Sequence, residues 1–275
     1  MSISLQHVPA QDGVRWTRHA FALFMRRPLA FTGMFAAFLV CVLLVTLLPV
    51  VGGVAMLMAL PLLTLGFMLA SKSALDDGPV HPGQFIEPLR QAGPRRTSLL
   101  TLCALYALGT VAIMQLAEWI DGGSFERLQL LMAKGDEARA EMEALLADPS
   151  LTWGMVTRFG LAGVLSIPFW HAPALIYWQG QSVGQSLFSS TLALWRCKGA
   201  FFAYSMAWMV VIVVFGVLAA LLFTLFDARQ LAGLVAMPAG LMFSTVFYVS
   251  LLFTYNGCFS IGKIDTPVDT TRPQG

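Results

Sequence analysis

Charge is what this sequence has least of. Asp, Glu, Lys and Arg make up only 12% of 275 residues, about half the share of a soluble domain. Histidine and cysteine number four each. No two cysteines stand in a Cys-x-x-Cys spacing, and none falls in the most polar stretch of the chain, so neither a zinc knuckle nor a disulfide framework is expected. The His-Glu-x-x-His, phosphate-cradling Gly-x-x-x-x-Gly-Lys and Gly-x-Ser-x-Gly motifs are all missing. What remains is apolar: 57% of the chain by residue count, about two thirds once the 24 glycines are added, with a mean hydropathy of +0.72. A chain of this size still exposes roughly a quarter of its unfolded surface when folded. That much apolar surface has to face lipid. A soluble enzyme, a disordered tail, a coiled coil and a nucleic-acid-binding domain are excluded together.

A helix crosses the roughly 30 Å hydrocarbon layer in about 20 residues, and the chain supplies six such runs. They are Leu29 to Leu48, Val51 to Ser71, about Ser98 to Ala117, about Met155 to Trp178, Ala200 to Phe226, and Leu231 to about Tyr255. No charge falls between Arg27 and Lys72, and Pro49 separates the first two runs into a tight hairpin. Continuous runs of this kind exclude a barrel, whose strands alternate. The start does not read as a secretory signal, because 28 residues precede the first run and no small-x-small site follows it. The expected fold is an all-α polytopic bundle forming a single integral membrane domain over residues 1–275.

Six spans leave both termini on one side. Twelve Lys and Arg fall on that side and five on the other, Arg127, Lys134, Arg139, Arg158 and Arg229. Basic flanks stay cytoplasmic, so both termini are expected in the cytoplasm and the loop 118–153 outside. That loop carries eight acidic residues, from Glu118 and Asp121 to Asp148. Ser124 is expected to cap a helix from Phe125, with an apolar stripe of Leu128, Leu131, Met132, Ala138, Met142, Leu145 and Leu146 that Asp148-Pro149 ends and Gly135 divides.

Three stretches between spans read as helices lying in the cytoplasmic membrane surface. In Gly13 to Arg27, Arg15, Arg18, His19, Ala22 and Arg26 recur at steps of three and four, with Arg27 following, and form a mostly basic face. Val14, Thr17, Phe21, Phe24 and Met25 line the other side, with Trp16, Ala20 and Leu23 nearby. Gly83-Gln84 and Gly184-Gln185 each open a segment with an arginine eleven residues beyond the glutamine, Arg95 and Arg196. Phe85, Ile86 and Leu89, and then Val183, Leu187, Thr191, Leu194 and Trp195, are apolar at helical spacing. The chain can thus be cut into three units, 11–79, 80–180 and 181–262, each a surface segment followed by two spans.

Polar chemistry inside the spans is scarce, and ionisable groups there are functional candidates by default. At depth within these runs only His171 qualifies. It lies in Ile167-Pro168-Phe169-Trp170-His171-Ala172-Pro173, where two prolines remove backbone donors and open or bend the helix. A neutral imidazole donates once and accepts once, which suits a freed carbonyl or a polar ligand. Trp170 could line a path from the cytoplasmic face, and Ser166 and Gln179 could add polar contacts. No catalytic, cofactor-binding or metal residue is assigned. Asp76, Asp77 and His81 would matter only if they converged at the cytoplasmic surface, as a lipid-modifying enzyme would need.

Gly13-Val14-Arg15-Trp16, Phe24-Met25-Arg26-Arg27-Pro28, the hairpin at Leu48-Pro49 and the loop from Asp76-Asp77-Gly78 to Pro82-Gly83 together resemble a family of uncharacterised multi-pass inner-membrane proteins of proteobacteria. More distantly, the layout is similar to the membrane domain attached to some glycerophosphodiester phosphodiesterases, without their catalytic domain. The resemblance implies an inner-membrane location and brings no established activity with it. The expected role is non-enzymatic, organising or assisting membrane partners, with lipids, other membrane proteins or a second copy as partners and no nucleic acid. A transporter or channel for a small or amphiphilic solute, and a lipid-modifying enzyme, are the alternatives.

Overall fold

The computed structural model describes residues 8–48, 51–90, 93–225 and 232–259. The turn at Pro49, the connector Asp227 to Gln230, His7, Lys263 and Arg272 lie outside these, as do the side chains of Asp136 and Glu137. The fold is all-α. Its elements are α1 Gln11–Arg26, α2 Pro28–Thr46, α3 Val51–Leu75, a 3₁₀ turn Pro82–Phe85, α4 Glu87–Arg90, α5 Pro94–Asp121, α6 Ser124–Lys134, a second 3₁₀ turn Gly135–Ala138, α7 Arg139–Leu146, α8 Pro149–Phe169, α9 Ala172–Gln179, α10 Val183–Arg196, α11 Lys198–Leu225 and α12 Ala232–Cys258.

Among the described residues, six helical stretches are long and apolar enough to cross a membrane: α2, α3, α5, the α8–α9 pair, α11 and α12 from Val235 on. The count matches the apolar runs. Several helices outlast their runs, because a helix stops where its backbone is capped rather than where its hydropathy falls. Pro94, which lacks an N–H that a first turn leaves unbonded anyway, opens α5, and Gly122 in a left-handed conformation closes it at Asp121. Asp148 accepts the Ser150 N–H at 2.8 Å and, with Pro149, starts α8 six residues ahead of Met155. Ser124 is the first residue of α6 instead of its cap, which is Gly123. Of the expected stripe in the 118–153 loop, Leu128, Leu131 and Ala138 are buried, while Met132 and Leu146 are more than half exposed.

By packing, the chain divides into two compact units. The first draws on Met1–Thr32, Ser71–Pro79 and Leu192–Gly275. In it α1 lies against both α11 and α12. Its partners on α11 climb in step, from Ala200 beside Gly13, through Tyr204 beside Trp16, to Trp208 beside Phe21. On α12 they descend, from Gly257 beside Trp16 to Phe253 beside His19. The helix therefore runs along its two neighbours. Its buried residues are Gly13, Trp16, Thr17, Ala20, Leu23 and Phe24, and this corrects the apolar side read from the sequence. Val14 is 44% exposed and Met25 67%. Small residues at 13 and 20 let backbones approach, and that decides the contact face where the surroundings are themselves apolar.

The second unit draws on Gly33–Ala70 and Val80–Thr191. Its main contact is between α5 and α8, with α9 also against α5. Helices α2 and α3 pack with the first 3₁₀ turn through the rings of Phe35, Phe38, Phe67 and Phe85. Phe85 rests on Gly66, where a Cβ would leave it no room.

Candidate functional site

The break in the fourth span is real and has a definite construction. Helix α8 ends at Phe169, Trp170 and His171 form a turn, and α9 restarts at Ala172 with Pro173 in its first turn. In an unbroken helix the His171 N–H would bond the Ile167 carbonyl. Here the Ser190 hydroxyl of α10 stands between them. It accepts the His171 N–H at 3.1 Å and donates to the Ile167 carbonyl at 3.1 Å. A side chain inserted into the ladder kinks a helix, and Pro168 and Pro173 favour the same bend.

The His171 side chain is fully buried. Ser166 turns its hydroxyl onto its own helix, donating to the Gly163 carbonyl at 2.7 Å. Trp170 and Gln179 are half-buried. The residue that sequence reasoning missed is Ser190. Helix α10 buries Ser186, Ser190 and Ala193, and Cys197 follows one turn on, while Phe188 and Trp195 are about 70% exposed. Of the expected apolar face, Val183, Leu187 and Leu194 are half-buried, and Thr191 and Trp195 are exposed. A row of small residues at steps of four, three and four was the available signal.

A second polar constellation also escaped the sequence. Asp121, 1% exposed, and Arg158, 15% exposed, form an ion pair at 3.4 Å between the end of α5 and the third turn of α8. The other Asp121 carboxylate oxygen accepts the Gly123 N–H at 2.9 Å, and the Arg158 guanidinium lies 4.0 Å over the Phe125 ring. Gly154 lets α8 come this close, because a Cβ there would collide with Asp121. Both charges belong to helices long enough to span, so His171 is not the sole ionisable group within them.

Other candidate residues are spread out. Arg27 bonds the carbonyls of Gly78 and Asp77 and lies 3.8 Å from the Asp77 carboxylate, so it clasps the turn after α3. Arg15 pairs with Asp12 at 2.9 Å. Arg18 and Arg26 are exposed. Asp76, Asp77 and His81 are exposed too, and among the described residues no three His, Cys, Asp or Glu gather as a metal site.

Two cavities stand out. One of about 430 Å³ lies in the α2–α3 hairpin, lined by residues such as Phe38, Cys41, Ala59 and Phe85. The other, a crevice of about 960 Å³, runs between α1 and α11.

No family model matches the chain, and no solved structure matches it. It is similar to a probable inner membrane protein of Burkholderia thailandensis, 33% identical over 268 residues that cover 96% of this chain and 97% of that protein. The chain belongs to that inner-membrane family. It is a multi-pass protein of the inner membrane. The surface of α11 now has its explanation: past Trp208 none of its residues is buried, and Val210, Val213, Val214, Val217 and Leu221 are each about half exposed. Such a helix is stable only with lipid around it.

Proposed function

We propose that this protein is a non-catalytic organiser of the inner membrane, holding or assisting membrane partners, either other membrane proteins or a second copy of itself. The observation that carries the reading is the lining of the two cavities. Both are walled by apolar side chains, with Thr17 and Arg18 the polar exceptions. Polar groups inside the spans are engaged in holding the fold: Ser190 in the fourth-span break, Asp121 with Arg158, and Tyr204 with Ser250 at 2.6 Å. Such groups do not line a solute path.

In this reading both termini and the surface segments are cytoplasmic, and the acidic 118–153 hairpin faces outward. The three units 11–79, 80–180 and 181–262 act as repeats. Their support is a recurring contact, in which each surface segment touches at least one span from a neighbouring unit. Helix α1 packs on α11 and α12, Phe85 on α2 and α3, and Ser190 on the α8–α9 break. His171 then serves to hold that break for α10, with Trp170 and Gln179 at its margin, and His171→Ala lowers thermal stability in detergent while leaving topology intact.

The test is purification from native membranes in lipid nanodiscs, with identification of co-purifying proteins, alongside flux measurements in proteoliposomes. A stoichiometric membrane partner, or a self-associated complex, with sealed liposomes supports the proposal. Saturable flux of a solute that depends on the protein overturns it in favour of transport.

A further inference from the structure

We propose that the crevice between α1 and α11 binds one anionic glycerophospholipid, its phosphate on Arg18 and one acyl chain between the two helices. Helix α11 has 28 residues, about 42 Å at 1.5 Å each, some 12 Å more than the hydrocarbon layer. Its first residue is Lys198, and the twenty residues from Met206 to Leu225 are enough to cross. Helix α1 packs along the Lys198 end of α11. Arg18 sits between the Trp16–Tyr204 and Phe21–Trp208 contacts, roughly 11 Å along α11 from Lys198. That puts Arg18 towards the Lys198 end of α11, the end where the basic residues stand.

The crevice walls match such an occupant. Beyond Arg18 they are Phe21, Ala22, Ala203, Met206 and Val210 with their neighbours, and they continue onto the lipid-facing side of α11. Thr17 turns its hydroxyl back to the Gly13 carbonyl, so nothing polar but Arg18 faces the space. Arg15, one turn away, is paired with Asp12, whereas Arg18 forms no ion pair among the described residues. A lone cation at the mouth of an apolar slot recognises a negative headgroup with a chain attached. This site concerns lipid and does not depend on the organising role proposed above.

Native mass spectrometry of the full chain, titrated with dioleoyl phosphatidylglycerol and dioleoyl phosphatidylethanolamine, tests it. The expected result is one retained phosphatidylglycerol, held in preference to the zwitterionic lipid. Arg18→Gln weakens that binding about fivefold, the worth of one basic side chain at an anionic surface, while Arg18→Lys and Arg26→Gln retain it. Ala207→Phe, which fills the crevice, sheds both lipids, with its thermal midpoint confirming that it folds. Equal retention of the two lipids by the unaltered protein overturns the proposal. So does undiminished binding by Arg18→Gln, or an equal loss with Arg26→Gln, which would mark general attraction to basic surface.

Discussion

Gly13 sits where the first turn of α1 meets α11, and a Cβ there would run into the Ala200 carbonyl and the Tyr204 backbone nitrogen. Neither backbone group can swing aside as a flexible side chain would. Gly13→Leu is therefore expected to cost about 1–3 kcal/mol, the usual range for overpacking, seen as a lower thermal midpoint in detergent, while Gln11→Leu on the exposed side leaves the midpoint unchanged. Two turns on, His19 rests against the Phe253 ring at 5.6 Å. Burial, then the positive charges of Arg18 and Arg15, hold its imidazole below the ordinary value of 6.5, with Asp12 opposing them. The unfolded chain then takes up a proton that the folded chain refuses, so stability is complete above pH 6.5 and declines as pH falls from there towards the depressed value. Thermal midpoints measured from pH 7.5 down to 5.5 should fall for the natural protein and run flatter for His19→Phe. An equal slope in both would remove His19 from the account.

Helix faces were harder to read than helices. In water an apolar stripe marks the buried side, but in lipid the apolar side has no reason to prefer protein, and close packing of small residues decides. That is why α10 turns Ser186, Ser190 and Ala193 inward and leaves Phe188 and Trp195 outside, and why α1 buries Gly13 and Ala20 ahead of Val14 and Met25. The fourth-span break was legible because proline acts on its own backbone; the Ser190 hydroxyl that completes it comes from 19 residues away, which local pattern does not reveal. Asp121 was missed because hydropathy ends the third run at Glu118 while the helix continues to Asp121, and Arg158, just inside the fourth run, because its partner lies 37 positions away. Replacing Asp121 by Asn keeps an acceptor for the Gly123 N–H but leaves Arg158 without its countercharge. Breaking a buried pair from one side costs about 3–5 kcal/mol, and Asp121→Asn should lose stability on that scale in a detergent melt. Adding Arg158→Met should recover most of it. If the double variant melts no higher than the single one, the two residues are not coupled as a pair.

For the whole molecule, run length alone yielded six spans, because crossing a fixed thickness of hydrocarbon is a demand that hydropathy meets directly. Orientation rests on a different property, the placement of the basic residues at helix ends. Arg26 closes α1, Arg27 stands between α1 and α2, Lys72 lies in the last turn of α3, Arg95 and Arg96 open α5, and Arg196 and Lys198 meet at the α10–α11 junction. Arg27 at the start of α2 grips the turn that follows α3, so both ends of the first hairpin share the basic side. The basic residues of α6 and α7 are paired locally, Arg127 with Glu141 at 2.5 Å and Arg139 with Glu143 at 3.3 Å. The expected topology therefore puts Gly135 outside and Lys198 inside. Single cysteines at these two positions, in a chain whose own four cysteines are replaced by serine or alanine, should react oppositely with a membrane-impermeant maleimide applied to cells with a permeabilised outer membrane. Gly135→Cys should label in intact inner membranes, and Lys198→Cys only after they are opened. The reverse pattern would invert the molecule and carry the Arg18 lipid site to the outer leaflet, and labelling of both positions on one side would break the six-span count between α5 and α11.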